Sequence, residues 1–134
     1  MVATFTQLYV HLVWTTWQRI PLITSEIETP LYAAIAEQCR ALGCEPLAIG
    51  GIADHMHLLT TFPATITIAK LAGNVKGAST HLVTHKLAPE TFFKWQSGYG
   101  ALTVDKRSLA DIVAYIHNQK EHHQNSTTYD AFEI

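Results

Sequence analysis

The stretch "EPLAIGGIADHMHLLTTF", residues 45–62, decides how the chain folds. Apolar residues fill both halves, and the turn-forming run from Gly51 to Asp54 interrupts them. That pattern predicts two strands joined by a tight turn. Successive side chains of a strand point to opposite faces. His55, His57 and Leu59 therefore share one face, and Met56, Leu58 and Thr60 share the other. A rise of about 3.3 Å per residue puts the two imidazoles about 7 Å apart along the strand. Such a pair is a start for gripping a metal ion, and equally fits two histidines hydrogen-bonded in or near a core. A structural zinc wants four protein ligands, and no nearby Cys or His cluster completes such a set.

Working outward, "FTQLYVHLVW" (5–14) is rich in aromatic and β-branched residues and reads as a strand. "WQRIPLITS" follows as a loop. "TPLYAAIAEQCRALG" (29–43) reads as a helix with Thr29 as cap, Pro30 at its first position and Gly43 at its stop. "TITIAKLAGNVKGASTHLVTHKL" (65–87) is a second helix. Its Ile68, Leu71, Ala72, Val75, Ser79 and Leu82 face the core, with Lys70, Gly77 and His81 opposite. "TFFKWQSGYGALTV" (91–104) reads as a short strand, a turn and a further strand. "DKRSLADIVAYIHNQKEHH" (105–123) is a third helix, with Asp105 or Ser108 near its start and a stripe of Leu109, Ile112, Val113 and Ile116. The tail 124–134 shows no pattern and is expected to be irregular.

The order β, α, β, β, α, β, β, α predicts an α+β fold, a central antiparallel sheet with packed helices. Its opening is the split βαβ arrangement of ferredoxin-like and RRM-like domains. The 134 residues suit one domain, 1–134, and 48% hydrophobic content supports one modest core. No run approaches the roughly 18 apolar residues of a membrane span, and the start lacks signal-peptide features. A cytoplasmic location is expected, with Cys39 and Cys44 as free core residues. The net charge of −2 does not announce a nucleic-acid binder, but between His55 and Val104 four lysines face Glu90 alone. That mildly basic stretch suits contact with phosphates, or an ordinary solvated surface.

Tyr115 and Gln119 are four apart, so they lie about 40° apart around a helix axis, flanking its apolar stripe. A tyrosine there also fits simple packing with its hydroxyl at the rim. Tyr9, Tyr32, Tyr99 and Tyr129 lack a ligand-type residue one turn away. His122 and His123 read as a polar helix end, where cationic histidine suits the dipole. Asp54 is expected to point away from the histidine pair.

"DHMHLL" in a strand, "WQSGYGALTV" after it and "YIHNQKEHH" in the closing helix resemble the single-tyrosine insertion-sequence transposases of the HUH superfamily (IS200-like). "HLVWTTWQRIPLI", "IGGIADHMHLL" and "LAGNVKGAST" extend the resemblance over roughly residues 5 to 125. HUH denotes two histidines around a hydrophobic residue, as His55-Met56-His57 has. The resemblance implies an HUH nuclease fold, with His55, His57 and Gln119 as metal ligands and Tyr115 as nucleophile. It implies cutting and rejoining of single-stranded DNA marked by hairpins, through a 5′-phosphotyrosine, and a homodimer. Two imidazoles and one amide carbonyl leave positions open for substrate and suit Mg²⁺ or Mn²⁺. Phosphotyrosine conserves the bond energy, so no nucleotide cofactor is needed, and a Walker motif is absent. Arg19, Lys70 and Lys76 are the expected phosphate contacts. The alternatives are a host-adopted nickase of repeat hairpins, a non-catalytic DNA-binding domain and, more distantly, a metal-dependent hydrolase with a water nucleophile.

Overall fold

The computed structural model describes residues 3–125 together with Thr128 and Glu133. Its strands are β1 (Tyr9–Thr15), β2 (Pro46–Ile52), β3 (His55–Thr61) and β4 (Gly100–Val104). Its α-helices are α1 (Ser25–Ala41), α2 (Ile68–Leu82), α3 (Leu109–His117) and α4 (Gln119–Gln124). The hairpin read from residues 45–62 forms, with Ile52 opposite His55 across the turn Ala53–Asp54. β1 pairs antiparallel with β3 on one side, Val13 opposite His57 and Thr15 opposite His55, and with β4 on the other. The sheet order is β2-β3-β1-β4. Helix α1 carries the chain from β1 to β2 and leaves the place between them for β3, which is the expected split βαβ topology.

The two faces of the sheet have different covers. Val10, Leu12 and Trp14 of β1 and Met56 and Leu58 of β3 pack with Leu31 and Ile35 of α1 and Leu71 and Val75 of α2. On the other face Ile112 and Ile116 of α3 meet Ala48 and Leu59. The alternation read in β3 therefore holds: Met56 and Leu58 enter the larger core, and the His55–His57–Leu59 face lies under α3 and α4. The two cysteines are free and buried, as expected. Burial, the first cause, pushes the Cys39 thiol up to about 12, so it is unreactive at neutral pH.

Three local expectations are corrected. Helix α1 starts at Ser25 with Thr24 as cap, so Pro30 lies inside the helix. Buried Ile27 stands one turn before Leu31, and packing that extra turn outweighs the backbone bond proline removes. The stop at Gly43 is as expected: φ is +80°, the Gly43 amide donates to the Arg40 carbonyl, and the Cys44 amide donates to the Cys39 carbonyl. The strand expected around Trp95 shrinks to a single bridge with Thr16, leaving four strands among the described residues. The closing helix is broken at Asn118 (φ −102°, ψ 23°) into α3 and α4. Asp105 does cap its start, its side chain accepting from the Ser108 amide. Of the tail expected to be irregular, Gln124 closes α4, Asn125, Thr128 and Glu133 lie outside helices and strands, and the other positions lie outside the described residues.

Gly50 sets the height of α3 above the sheet. A Cβ there would lie 2.2 Å from the Ile116 carbonyl oxygen, so only glycine lets the helix backbone come this close to β2. That approach brings Tyr115 and Gln119 down onto the histidine face.

Candidate active site

His55 and His57 are 1% and 0% exposed, and Tyr115 and Gln119 are 2% and 1% exposed. The structure brings all four together. The Tyr115 and His57 rings meet edge to face with centroids 5.9 Å apart. Gln119 Oε1 lies 3.2 Å from His55 Nε2, while Gln119 Nε2 donates to the Tyr115 carbonyl at 3.4 Å. That second contact orients the amide, with its oxygen toward the histidine.

Each histidine is tied by one ring nitrogen and offers the other. His55 Nδ1 lies 2.8 Å from Asp54 Oδ1, and Asp54 Oδ2 lies 3.8 Å from an Arg19 guanidinium nitrogen. Asp54 thus faces the site, against expectation. It sits in the turn, where strand alternation no longer applies. His57 Nδ1 lies 2.8 Å from Nε2 of His11 on β1. His57 Nε2 is buried without a directed hydrogen bond among the described residues, although a Glu133 oxygen is 3.2 Å away. A histidine held at Nδ1 with Nε2 presented is the arrangement of a metal-binding imidazole.

Glu133 closes the cluster. One oxygen accepts from the Tyr115 hydroxyl and approaches His57, and the other lies 3.3 Å from His55 Nε2 and 3.4 Å from His123 Nε2. Donor atoms of His55, His57 and Glu133 all lie within 4.8 Å of one another, a grouping that suits a divalent metal. His123 Nε2 also lies 3.1 Å from both His55 Nε2 and Gln119 Oε1, and the His122 ring lies 4.7 Å from that of Tyr115. His122 and His123 do stand in the last turn of α4, as read, and both also reach the site.

The electrostatics follow from burial and neighbours. Burial works against a charge on His55, but hydrogen bonds to Glu133, Asp54 and Gln119 outweigh it and raise its pKa. Burial wins at His57 and lowers its pKa. His11 is pushed down to about 4 by burial and by His57. Burial opposes the Glu133 charge too, yet hydrogen bonds from His55, His57 and Tyr115 hold its carboxyl well below the usual range.

Of the expected phosphate contacts, Arg19 stands at the edge of the site against Asp54, and Lys70 and Lys76 lie away from it on α2. Lys70 is exposed on α2. Lys76 donates to the carbonyls of Gln96 and Gly98, 2.8 Å each, and its half-buried amine has a lowered pKa. Gln18 and Arg19 both adopt positive φ (50° and 54°), a local strain that accompanies the approach of Arg19 to Asp54. Trp14 and Trp95 are core residues, while Trp17 is half-buried with Lys94 Nζ 4.1 Å over its ring.

Sequence reasoning missed His11 and Glu133. His11 shares a strand face with Val13 in "YVHLVW", and Val13 stands opposite His57, so a register assignment would have found it. Glu133 carries no local signal. His123 stands four residues after Gln119 and was legible as its helical neighbour.

Comparisons with known proteins give the family of the chain. The family model "Transposase IS200 like" matches residues 4–119. The ISDra2 transposase TnpA of Deinococcus radiodurans is 27% identical over 120 residues, 86% of each chain. A crystal structure from the same organism, assigned as a transposase, superposes with a TM-score of 0.65 at 26% identity, over 89% of this chain and 95% of that one. The REP-associated tyrosine transposase bound to a REP hairpin shares the fold, with a TM-score of 0.65 at 17% identity over 96% of this chain and 74% of that one. The chain belongs to the IS200-like transposase family.

Proposed function

We propose that this transposase cleaves and rejoins single-stranded DNA through a 5′-phosphotyrosine on Tyr115, at element ends marked by hairpins. The observation that carries the reading is the position of the Glu133 carboxylate. It touches the Tyr115 hydroxyl and both members of the histidine pair. An anionic oxygen-bearing group fits between nucleophile and donors, and a phosphodiester is such a group. In the reaction the scissile phosphate takes the place that the carboxylate holds in the structure.

His55, His57 and Gln119 would hold a divalent metal, Mg²⁺ or Mn²⁺, through their ring nitrogens and amide oxygen. When bound, the metal supplies Lewis acidity at a non-bridging phosphate oxygen and at the departing 3′-oxygen. Asp54 and His11 keep the two imidazoles turned toward it. The Tyr115 oxygen attacks phosphorus and loses its proton. The bond to the 3′-oxygen breaks, and that oxygen leaves as a hydroxyl. A different 3′-hydroxyl reverses the step and joins new ends. The helices α3 and α4 pack over the face and limit water, which would otherwise compete with that hydroxyl.

The substrate reading draws support from the REP-hairpin-bound transposase that shares the fold. Arg19, Lys70 and Lys76 supply positive charge for the backbone, Lys76 while also bracing the 96–98 segment. Trp17 offers a ring for stacking. Tyr115 and the histidine pair meet within one chain, so a homodimer of this transposase would carry two complete sites. Among the described residues no helix is long and apolar enough to cross a membrane, which accords with work on cytoplasmic DNA.

The test mixes the protein with labelled single-stranded DNA from both flanks of its gene, with Mn²⁺ or Mg²⁺. A denaturant-resistant protein–DNA adduct is expected, and it disappears with Tyr115→Phe, with His57→Ala and with EDTA. Tight hairpin binding with no adduct would instead make the chain a binding module. Metal-dependent cleavage that persists in Tyr115→Phe would make it a hydrolase.

A further inference from the structure

The histidine at the end of the sequence "KEHH" stands in an unusual contact. His55 Nε2, Gln119 Oε1 and His123 Nε2 form a nearly equilateral triangle with edges of 3.2, 3.1 and 3.1 Å. The proton on His55 belongs at Nδ1, against the Asp54 carboxylate 2.8 Å away. A neutral His55 then presents a lone pair at Nε2. Gln119 Oε1 is an acceptor as well. These two acceptors face each other at 3.2 Å, and one proton on His123 Nε2 cannot lie on that edge. Glu133 Oε1 adds further negative charge, 3.3 Å from His55 Nε2 and 3.4 Å from His123 Nε2. A metal ion between these donors would be held by all three together.

The dimensions agree with a metal. At a metal–ligand distance of about 2.1 Å, neighbouring donors of an octahedron stand about 3.0 Å apart. The observed edges are 3.1–3.2 Å. His123 is placed there by the backbone. It lies one turn after Gln119 in α4, and the break at Asn118 re-aims that turn at the face of β3. His123 is also only partly buried, so its ring reaches the site from the rim.

We propose that His123 is a protein ligand of the metal, a third imidazole beside His55 and His57. This deepens the proposed function and rests on its metal reading. It makes the short α4 a metal-dependent element: the ion ties α4, through Gln119 and His123, to the strand that carries His55 and His57. Tyr115 stands one turn before Gln119, so ordering α4 also fixes the position of the nucleophile.

The test uses the full chain without DNA, loaded with Mn²⁺. Electron spin-echo spectroscopy counts coupled imidazole nitrogens, and calorimetry gives the Kd. Wild type is expected to show three imidazoles. His123→Ala is expected to show two, with Kd weakened at least tenfold. His123→Gln keeps an oxygen donor. It is expected to recover part of the affinity while still showing two imidazoles, which separates lost ligation from a damaged fold. His57→Ala is the control and should also show two. Two imidazoles in wild type, unchanged in His123→Ala with an unchanged Kd, would overturn the proposal and leave the His55–His57 reading intact. A wild type with no imidazole coupling, or a His57→Ala that binds like wild type, would overturn that reading itself.

Discussion

His11 shows how one residue can tune a site it does not enter. It lies on β1, fully buried, with Nε2 2.8 Å from His57 Nδ1. It positions the His57 ring, and with the His57 proton on Nδ1, directed at His11, the Nε2 lone pair is left for a ligand. His11→Phe should keep the core filled and weaken Mn²⁺ binding about 10- to 100-fold, measured by calorimetry. The acid side of the stability profile should change as well. The folded chain holds the His11 pKa near 4 against an ordinary 6.5, through burial and then His57. Between these values the unfolded chain binds a proton that the folded chain refuses, so stability falls as pH drops from 6.5 toward 4. Urea melts across that range should show a shallower loss in His11→Phe. Metal binding has its own pH dependence. The raised His55 pKa means that protons compete with the ion, so apparent affinity should rise as pH rises through that pKa, with proton release on binding. His55 and His57 were legible because strand alternation is local. His11 and Glu133 were not, because their partners lie far away in sequence and are set by register and by the tail.

Among the elements, α3 carries Tyr115, the proposed nucleophile, and its placement depends on one glycine in β2. Gly50→Ala drives a methyl group toward the Ile116 carbonyl, 2.2 Å from the ideal Cβ, and backbone cannot yield as a side chain can. The variant should lose about 1–3 kcal/mol in thermal or urea unfolding. It should lose adduct formation beyond that loss, because the helix that tilts away carries Tyr115. The apolar stripe Leu109–Ile112–Val113–Ile116 announced α3 correctly, since periodicity reports which face is buried. The break at Asn118 was not visible in that stripe. The start of α1 was misplaced because proline and threonine signals at 29–30 compete with the packing of Ile27, which a local reading does not weigh. The segment around Trp95 looked like a strand because its aromatic residues are core residues. Phe93 and Trp95 are buried, but their backbone makes only one bridge.

At the scale of the whole molecule, the sheet puts the histidine pair on a central strand, and two helical layers cover its faces. The split βαβ opening read from the sequence is the β2-β3-β1 part of the order β2-β3-β1-β4, and the place of β4 beside β1 was not read from it. The net charge of −2 did not announce a DNA-acting family, and the resemblance was carried by local motifs instead. Arg19 and Lys70 are exposed and are the proposed phosphate contacts to test together. Arg19→Ala with Lys70→Ala should weaken hairpin binding. It should also flatten the dependence of log K on log salt by about 0.7 for each single-strand phosphate no longer neutralised. Fluorescence anisotropy titrations at several salt concentrations measure both effects.

The mechanism stands or falls on a covalent bond between Tyr115 and DNA. Trypsin cuts after Arg107 and Lys120, so peptide 108–120 carries Tyr115 as its single tyrosine. The decisive measurement is mass spectrometry of that peptide after reaction with flanking single-stranded DNA and Mn²⁺, followed by nuclease trimming. A nucleotide phosphate is expected on Tyr115, with a free 3′-hydroxyl on the released strand. A modification on any other residue, or cleavage that leaves peptide 108–120 unmodified, would refute the phosphotyrosine mechanism.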